Sequence, residues 1–437
     1  MAPEPERQTR RIETSALARV EGEGAMHVLI EGGEVAAVEL RIYEPPRFFE
    51  ALLRGRALEE APDITARICG ICPVAYQTSA CEAMEDALGI ELTPELRLLR
   101  RLVYCGEWIE SHTLHLYLLH APDFLGFESG FAMAADHPEI VERGLRAKRT
   151  GNRLIEIVGG RAVHPVNVRV GGFHKAPDPA ALAALRPGLE RCRDEALATV
   201  RWAATLEFPA LEREYEFVSM RSPEPDEYPI DRGRIASSKG IDIEAAEFGA
   251  TFEERHVPHS TALHSRVRGR GAYLCGPMAR FALNRHRLGP IAAAAAAEAD
   301  LADPPVNPFQ SIVIRAIEVL YAFEEAVRLI DAYSPPAEPF VPYEPRAGVG
   351  HGISEAPRGL LYHRYEIDDA GLIEQALIVP PTSQNQRSVE EDLTEFVGGH
   401  THLPDDELRV RCEQAIRNYD PCISCSTHFL DLEVERR

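Results

Sequence analysis

Two cysteine pairs of identical spacing stand near opposite ends of a 437-residue chain: Cys69 and Cys72 in "RICGICP", Cys422 and Cys425 in "DPCISCSTH". A deprotonated cysteine is a soft metal ligand, and a C-x-x-C turn can direct two sulfurs at one ion. Two such turns supply four thiolates, and a tetrahedral zinc staple is the commonest use of that set. Structural zinc sites usually close short loops, however, whereas most of this chain lies between Cys72 and Cys422. Soft thiolates also suit nickel and iron. Spacing alone therefore leaves a zinc staple and a redox-active centre both open.

Composition narrows the setting. Asp and Glu outnumber Lys and Arg by 69 to 47, a net charge of −22, which argues against a nucleic-acid partner because phosphate binding needs a positive footprint. Nine cysteines scattered through a long chain do not form a disulfide framework. The start, "MAPEPERQTRRIETS", has no apolar signal region, and the alanine-rich run from Ile291 is too short for direct membrane insertion. A soluble, cytoplasmic protein with reduced thiols is expected. Cys81, Cys105, Cys192, Cys275 and Cys412 have no C-x-x-C partner and read as packing residues.

The elements that must position the pairs are partly visible. Residues 1–17 read as a flexible arm, followed by a hairpin turning at Gly32-Gly33 in "HVLIEGGEVAAVELRIY". Thr93 as N-cap and Pro94 at the first helical position open a long helix whose Leu96, Leu99, Val103 and Leu114 recur at helical spacing. Further helices are predicted from Pro138 to Val158 and over "FQSIVIRAIEVLYAFEEAVRLIDAY". Two strands meet at a turn from Asp368 to Gly371. With no clear linker and no internal repeat, residues 1–437 read as one α+β unit, mainly α, with small sheets at its edges.

At this point the sequence resembles a known family. "RICGICP" and "DPCISCSTH" look like the two signature motifs of the nickel-iron hydrogenase large subunit. "ARVEGEG", "PPRFFEALLRGR", "GRAVHPVNVRVGGF", "YLCGPMAR", "EAPRGLLYH" and "VPPTSQN" match family blocks in order, so the likeness runs through essentially the whole chain. Tyr76 and Gln77 make it most similar to the cytosolic, NAD(P)-linked branch related to sulfhydrogenase alpha subunits.

The resemblance implies a large-subunit fold with a long-helix bundle core. It implies that Cys69, Cys72, Cys422 and Cys425 hold nickel, with Cys72 and Cys425 also bridging to an iron that carries carbonyl and cyanide ligands. Glu21 in "RVEGEG" matches a proton-relay residue serving Cys422, although alone it would read as a solvated hairpin acid like Glu23. Glu50, the Ile378 carbonyl and His428 match the ligands of a magnesium ion. Arg358 and Thr382 match the partners of the cyanides, and Pro357, Leu361 and Pro381 would wall the diatomic ligands. His112, His115, His120 and His164 read as core or supporting histidines, because four thiolates already supply the metal.

The chain has no C-x-x-C-x-x-C run for an iron–sulfur cluster and no G-x-G-x-x-G after a strand. The resemblance therefore implies a separate iron–sulfur small subunit, and a flavin-containing NAD(P) diaphorase module with its own iron–sulfur subunits. It also implies a maturation protease that removes residues 429–437 after His428. The competing classes are a zinc-stapled interaction subunit and a respiratory-complex homologue; the latter has generally lost the four cysteines retained here.

Overall fold

The computed structural model describes residues 9–428; residues 1–8 and the expected maturation peptide, 429–437, lie outside the described residues. The long helix opened by Thr93 runs from Pro94 to Thr113, with the Thr93 hydroxyl accepting the Leu96 N–H at 3.4 Å. It continues through a π-helical segment, Leu114–His120, and ends at Gly126 after Ala121–Leu125. From Arg100 to Thr113 every residue is buried, so this helix is an axis of the bundle and not a face laid on it. Helices Pro138–Gly159 and Ser311–Ala332 pack along it, and Pro179–Ala203 packs on both of those.

Eight of the elements place the site and are labelled here in chain order. Three antiparallel strands, β1 (Thr9–Thr14), β2 (Gly24–Glu31) and β3 (Glu34–Ile42), form the N-terminal sheet. Its hairpin turns at Gly32 and Gly33, both at positive φ as a tight two-residue turn requires. The arm predicted over residues 1–17 is a correction: Thr9–Thr14 pairs with β2, Ile12 opposite Val28. Its polar composition hid the alternation that buries Ile12 and Thr14, while Arg10 bonds Asp405 and the Leu403 carbonyl.

Helix α1 (Pro73–Leu88) starts immediately after Cys72 and packs on strand β4 (Gly348–Ala356). This strand joins β5 (Gly359–Ile367) and β6 (Ile373–Val379) in an antiparallel sheet. The β5–β6 turn is the predicted one, tied by the Asp368 carboxylate accepting from Ala370 and Leu372 N–H groups at 2.9 and 2.8 Å. Strand β4 has no counterpart among the elements predicted from sequence, and the structure explains the glycines of its "GVGHG". A Cβ on Gly350 would stand 1.9 Å from the Ala83 carbonyl oxygen, and one on Gly352 2.2 Å from that of Ser79. Helix backbone rests directly on strand backbone there.

Among the described residues no helix is long and apolar enough to cross a membrane. Because the α1–β4 contact admits no side chain, Gly352→Ala should destabilise the fold by about 1–3 kcal/mol, the usual cost of overpacking. Chemical denaturation of the variant checks this, and an unchanged midpoint would show that the two elements can separate freely.

Candidate metal centre

The two cysteine turns meet in the interior. The Sγ atoms of Cys69 and Cys422 are 3.4 Å apart, those of Cys72 and Cys425 3.8 Å, and all four lie within 4.8 Å of one another, fully buried. Cys69 follows a short helical turn, Ala66–Ile68, and Cys72 is the N-cap of α1 with Pro73 at its first position. The carboxylate of Glu107, from the central helix, accepts the N–H groups of Val74 and Ala75 at 2.6 and 3.0 Å. It thereby satisfies the orphan donors beside Cys72. The second turn is a short helix, Ile423–Ser426, entered from Cys422. Arg47 clips the two turns together, donating to the carbonyls of Ile68, at 2.7 Å, and of Ser424.

Burial pushes the thiols of Cys422 and Cys425 up, while hydrogen bonding from Cys422 draws Cys69 well down. Four ionised sulfurs cannot share a dry pocket without a compensating cation. The donor set therefore fits a thiophilic metal ion, which would let all four ionise.

Glu21 reaches this cluster through a one-pair parallel bridge with Cys422, in which Ile423 N–H donates to the Glu21 carbonyl at 2.9 Å. Its carboxylate oxygen accepts from Cys422 Sγ and from Ser424 N–H, both at 3.1 Å. Glu21 is half-buried, so it touches a buried thiol and also approaches solvent; Glu23 is exposed.

Arg358 is buried in the turn between β4 and β5, held by the Asp420 carbonyl at 2.6 Å and its carboxylate at 3.1 Å. That turn is fixed from behind by Arg280, which donates to the Ala356 and Pro357 carbonyls at 3.0 and 2.9 Å. Two glycines allow the approach: a Cβ on Gly276 would meet the Arg358 carbonyl oxygen at 2.6 Å, and one on Gly359 the Cys275 sulfur at 2.7 Å. Arg280 also forms a two-pronged pair with Glu318, both contacts 2.7 Å, and bonds Glu355 at 2.9 Å. Burial alone would raise the Glu318 carboxyl, but Arg280 holds it down at about 2. Burial dominates at Glu355, pushed up to about 7.

Thr382 sits in the first turn of α2 (Pro381–His400), its hydroxyl accepting the Cys422 N–H at 3.1 Å. Pro357, Leu361 and Pro381 are buried in the elements that carry Arg358 and Thr382. The second predicted group also converges. Glu50 is buried in a short helix, Phe49–Leu53, and accepts the Ile378 N–H at 2.7 Å. The His428 carbonyl accepts from Phe49 N–H at 2.8 Å, so residues 49, 50, 378 and 428 adjoin. Both ring nitrogens of His428 are buried without a hydrogen-bond partner, and burial lowers the ring to about 3, leaving it neutral. A carboxylate, a carbonyl and a neutral imidazole fit a hard divalent ion that keeps several waters.

The other histidines have other partners: His112 stands 3.1 Å from Glu318, His115 contacts the Arg417 carbonyl at 2.8 Å, His120 the Asn418 side chain at 3.1 Å, and His164 the Ala66 carbonyl at 2.8 Å. The five remaining cysteines are buried and free. Sequence reasoning missed Glu107, Arg47, Arg280 and Asp420. None carries a local signal, because each acts across the fold on a backbone group or a charge far away in sequence.

Comparison with known proteins agrees with this geometry. A family model described as nickel-dependent hydrogenase matches residues 47–139 and 314–428. The chain is 34% identical to sulfhydrogenase 1 subunit alpha of Pyrococcus furiosus, over 95% of this chain and 97% of that one. It is 26% identical to the NAD-reducing hydrogenase HoxS subunit beta of Cupriavidus necator, over 97% and 95%. Among solved structures, an NAD+-reducing [NiFe]-hydrogenase in the H2-reduced state superposes with a TM-score of 0.87 at 26% identity, covering 96% of this chain and 99% of that one.

The Arg280 pairing generates a test. Removing one partner of a buried pair strands the other charge, so Glu318→Gln should cost about 3–5 kcal/mol. The folded value of Glu318 lies below its unfolded one, so the pair's contribution is complete above the ordinary carboxylate value of 4.5 and is lost as pH falls through about 2. Denaturation at neutral and acid pH checks this: the gap between native protein and variant should narrow only on the acid side.

Proposed function

The chain belongs to the nickel-dependent hydrogenase family, and from that premise we propose how its residues divide the work of a hydrogen-oxidising catalytic large subunit. Cys69, Cys72, Cys422 and Cys425 would hold nickel, and Cys72 and Cys425 would also serve an iron carrying carbonyl and cyanide ligands. One observation carries this reading: four buried sulfurs from opposite ends of the chain lie within 4.8 Å of one another, with a carboxylate on one of them. When bound, that metal pair supplies the redox couple and the electrophilic centre for H2 ⇌ 2H+ + 2e−.

The chain's own groups handle the protons and the pocket. Cys422 Sγ is the thiol that can hold a proton, and Glu21, 3.1 Å away, takes it toward solvent as a general base. Arg358, fixed by Asp420 and by the Arg280-braced turn, presents a permanent positive charge to the anionic centre and donors for one cyanide. Thr382 accepts from Cys422 N–H and keeps its own proton for the other cyanide. Pro357, Leu361 and Pro381 exclude water around the diatomic ligands. Glu50, the Ile378 carbonyl and His428 would hold a magnesium ion.

Electrons leave the chain, which has no cysteine run for a cluster and no nucleotide fingerprint. An iron–sulfur small subunit receives them, and a flavin-containing diaphorase passes them to NAD(P) in the cytoplasm. The similarity to a sulfhydrogenase alpha subunit and to a subunit of an NAD-reducing hydrogenase supports this route.

The purified complex should contain nickel and iron and show infrared stretches of carbonyl and cyanide; zinc without those bands would sink the reading. In Glu21→Gln the bands and metals should persist while turnover and hydrogen–deuterium exchange slow by roughly 10²–10⁴-fold, the range of general acid–base catalysis. Loss of the bands would instead make Glu21 structural.

We further propose that a maturation protease cuts after His428, so that the active subunit lacks residues 429–437. That tail contains Asp431, Glu433, Glu435, Arg436 and Arg437, charges costly to bury beside a closing metal site. Intact-mass measurement of the active complex should give a large subunit ending at His428, and one still ending at Arg437 refutes processing.

A further inference from the structure

A second cluster of metal-binding side chains lies outside the thiolate centre: ligand atoms of His259, His264 and Glu390 fall within 4.8 Å of one another. His259 occupies the turn between strands Phe252–Val257 and Ser260–Val267, and His264 lies on the second of these. The pairing of the two strands shifts between Ser260 and His264, an irregularity of the kind that re-aims a side chain. Glu390 comes from the α2 helix that begins at Pro381, and Leu40 N–H of the N-terminal sheet steadies its carboxylate at 3.0 Å.

The two histidines address different oxygens of that carboxylate. His259 Nε2 is 2.7 Å from Oε1, and His264 Nδ1 is 3.8 Å from Oε2. Their rings stand 5.6 Å apart at 82°, so they converge from nearly perpendicular directions. Glu390 and His264 are buried, whereas His259 is half-buried and opens the cluster toward solvent. A histidine–carboxylate pair accounts for His259 but not for His264. At 3.8 Å its nitrogen is beyond hydrogen-bond distance. Its Nε2 is buried with no partner either. Two donors on a tetrahedral zinc ion at 2.0–2.1 Å are about 3.3–3.4 Å apart, between the two separations seen.

We propose that His259, His264 and Glu390 form a zinc site, with water completing the tetrahedron on the His259 side. Two imidazoles and one carboxylate favour a borderline ion such as zinc over magnesium or calcium, which prefer all-oxygen sets. The ion clips the hairpin and the N-terminal sheet to the helix whose first turn holds Thr382, about two turns away. The same hairpin carries Glu254, which accepts from Ser383 at 3.2 Å, so the clip braces the wall of the metal centre without touching it.

The test uses the assembled hydrogenase complex with the full chain, dialysed, titrated with zinc and passed over a desalting column. Elemental analysis should find about one zinc per chain, and zinc-edge X-ray absorption a nitrogen and oxygen shell at about 2.0–2.1 Å without sulfur. His264→Asn and Glu390→Gln should each lose that zinc while keeping the infrared bands of the thiolate centre. Glu390→Gln still offers an acceptor to Leu40, so it decides alone if His264→Asn does not assemble. Absence of retained zinc, a sulfur shell at about 2.3 Å from zinc in the cysteine site, or zinc undiminished in Glu390→Gln would each overturn the proposal.

Discussion

Everything in this fold answers to one electrostatic constraint, the gathering of four cysteine sulfurs into a dry interior. Sulfurs 3.4 and 3.8 Å apart repel strongly once ionised, and a buried site screens that repulsion little. The protein meets this with permanent positive charge and fixed dipoles. Arg358 enters from the β4–β5 turn, Arg47 spans the two cysteine turns, and the start of α1 directs its N-terminus beside Cys72. Glu107 would seem to oppose that arrangement, being a buried acid close by. It is there for another reason: two backbone donors at the start of α1 would otherwise have no partner.

Such groups must themselves be held, and buried charges are held by opposite charges. Arg280, Glu318 and Glu355 form a dry triad behind the β4–β5 turn, with Arg280 also stacked 4.5 Å from the Trp108 ring. Asp420 does the same for Arg358 from the segment leading to Cys422. The bundle is thus built around paired charges as well as apolar side chains. That explains why the central helix is buried all round although it carries Arg100, Arg101, Glu107 and Glu110.

What the sequence disclosed and what it hid follow from the range of each interaction. The capped helix at Thr93, the glycine hairpin and the Asp368 turn are local features, and each appears where its residues predict it. The cysteine turns were legible because metal binding fixes a short spacing. Strand β1 and strand β4 were not: one looks like a polar arm and the other like a glycine-rich stretch until their packing partners are known. Glu107 and Arg280 read as ordinary helix residues, since their partners are 32 and 38 positions away or more. The candidate ligands Glu50 and His428 came from family likeness alone, and only the fold shows that Phe49, next to Glu50, bonds the His428 carbonyl.

The segment from Arg47 to Glu50 shows why the chain's last described turn matters so much. Arg47 N–H donates to the Thr427 carbonyl at 2.7 Å and Phe49 N–H to that of His428 at 2.8 Å. The Arg47 guanidinium meanwhile joins the carbonyls of Ile68 and Ser424, one beside each cysteine pair. Glu50, one residue beyond, faces the Ile378 N–H. Five contacts from Arg47, Phe49 and Glu50 therefore tie the N-terminal cysteine turn, the C-terminal cysteine turn, His428 and the β6 edge into one unit. Withdrawing residues 424–428 would break three of them together and expose both candidate metal sites. Cys425 of the thiolate cluster and His428 both lie in that segment, so neither site is complete until residues 424–428 are seated.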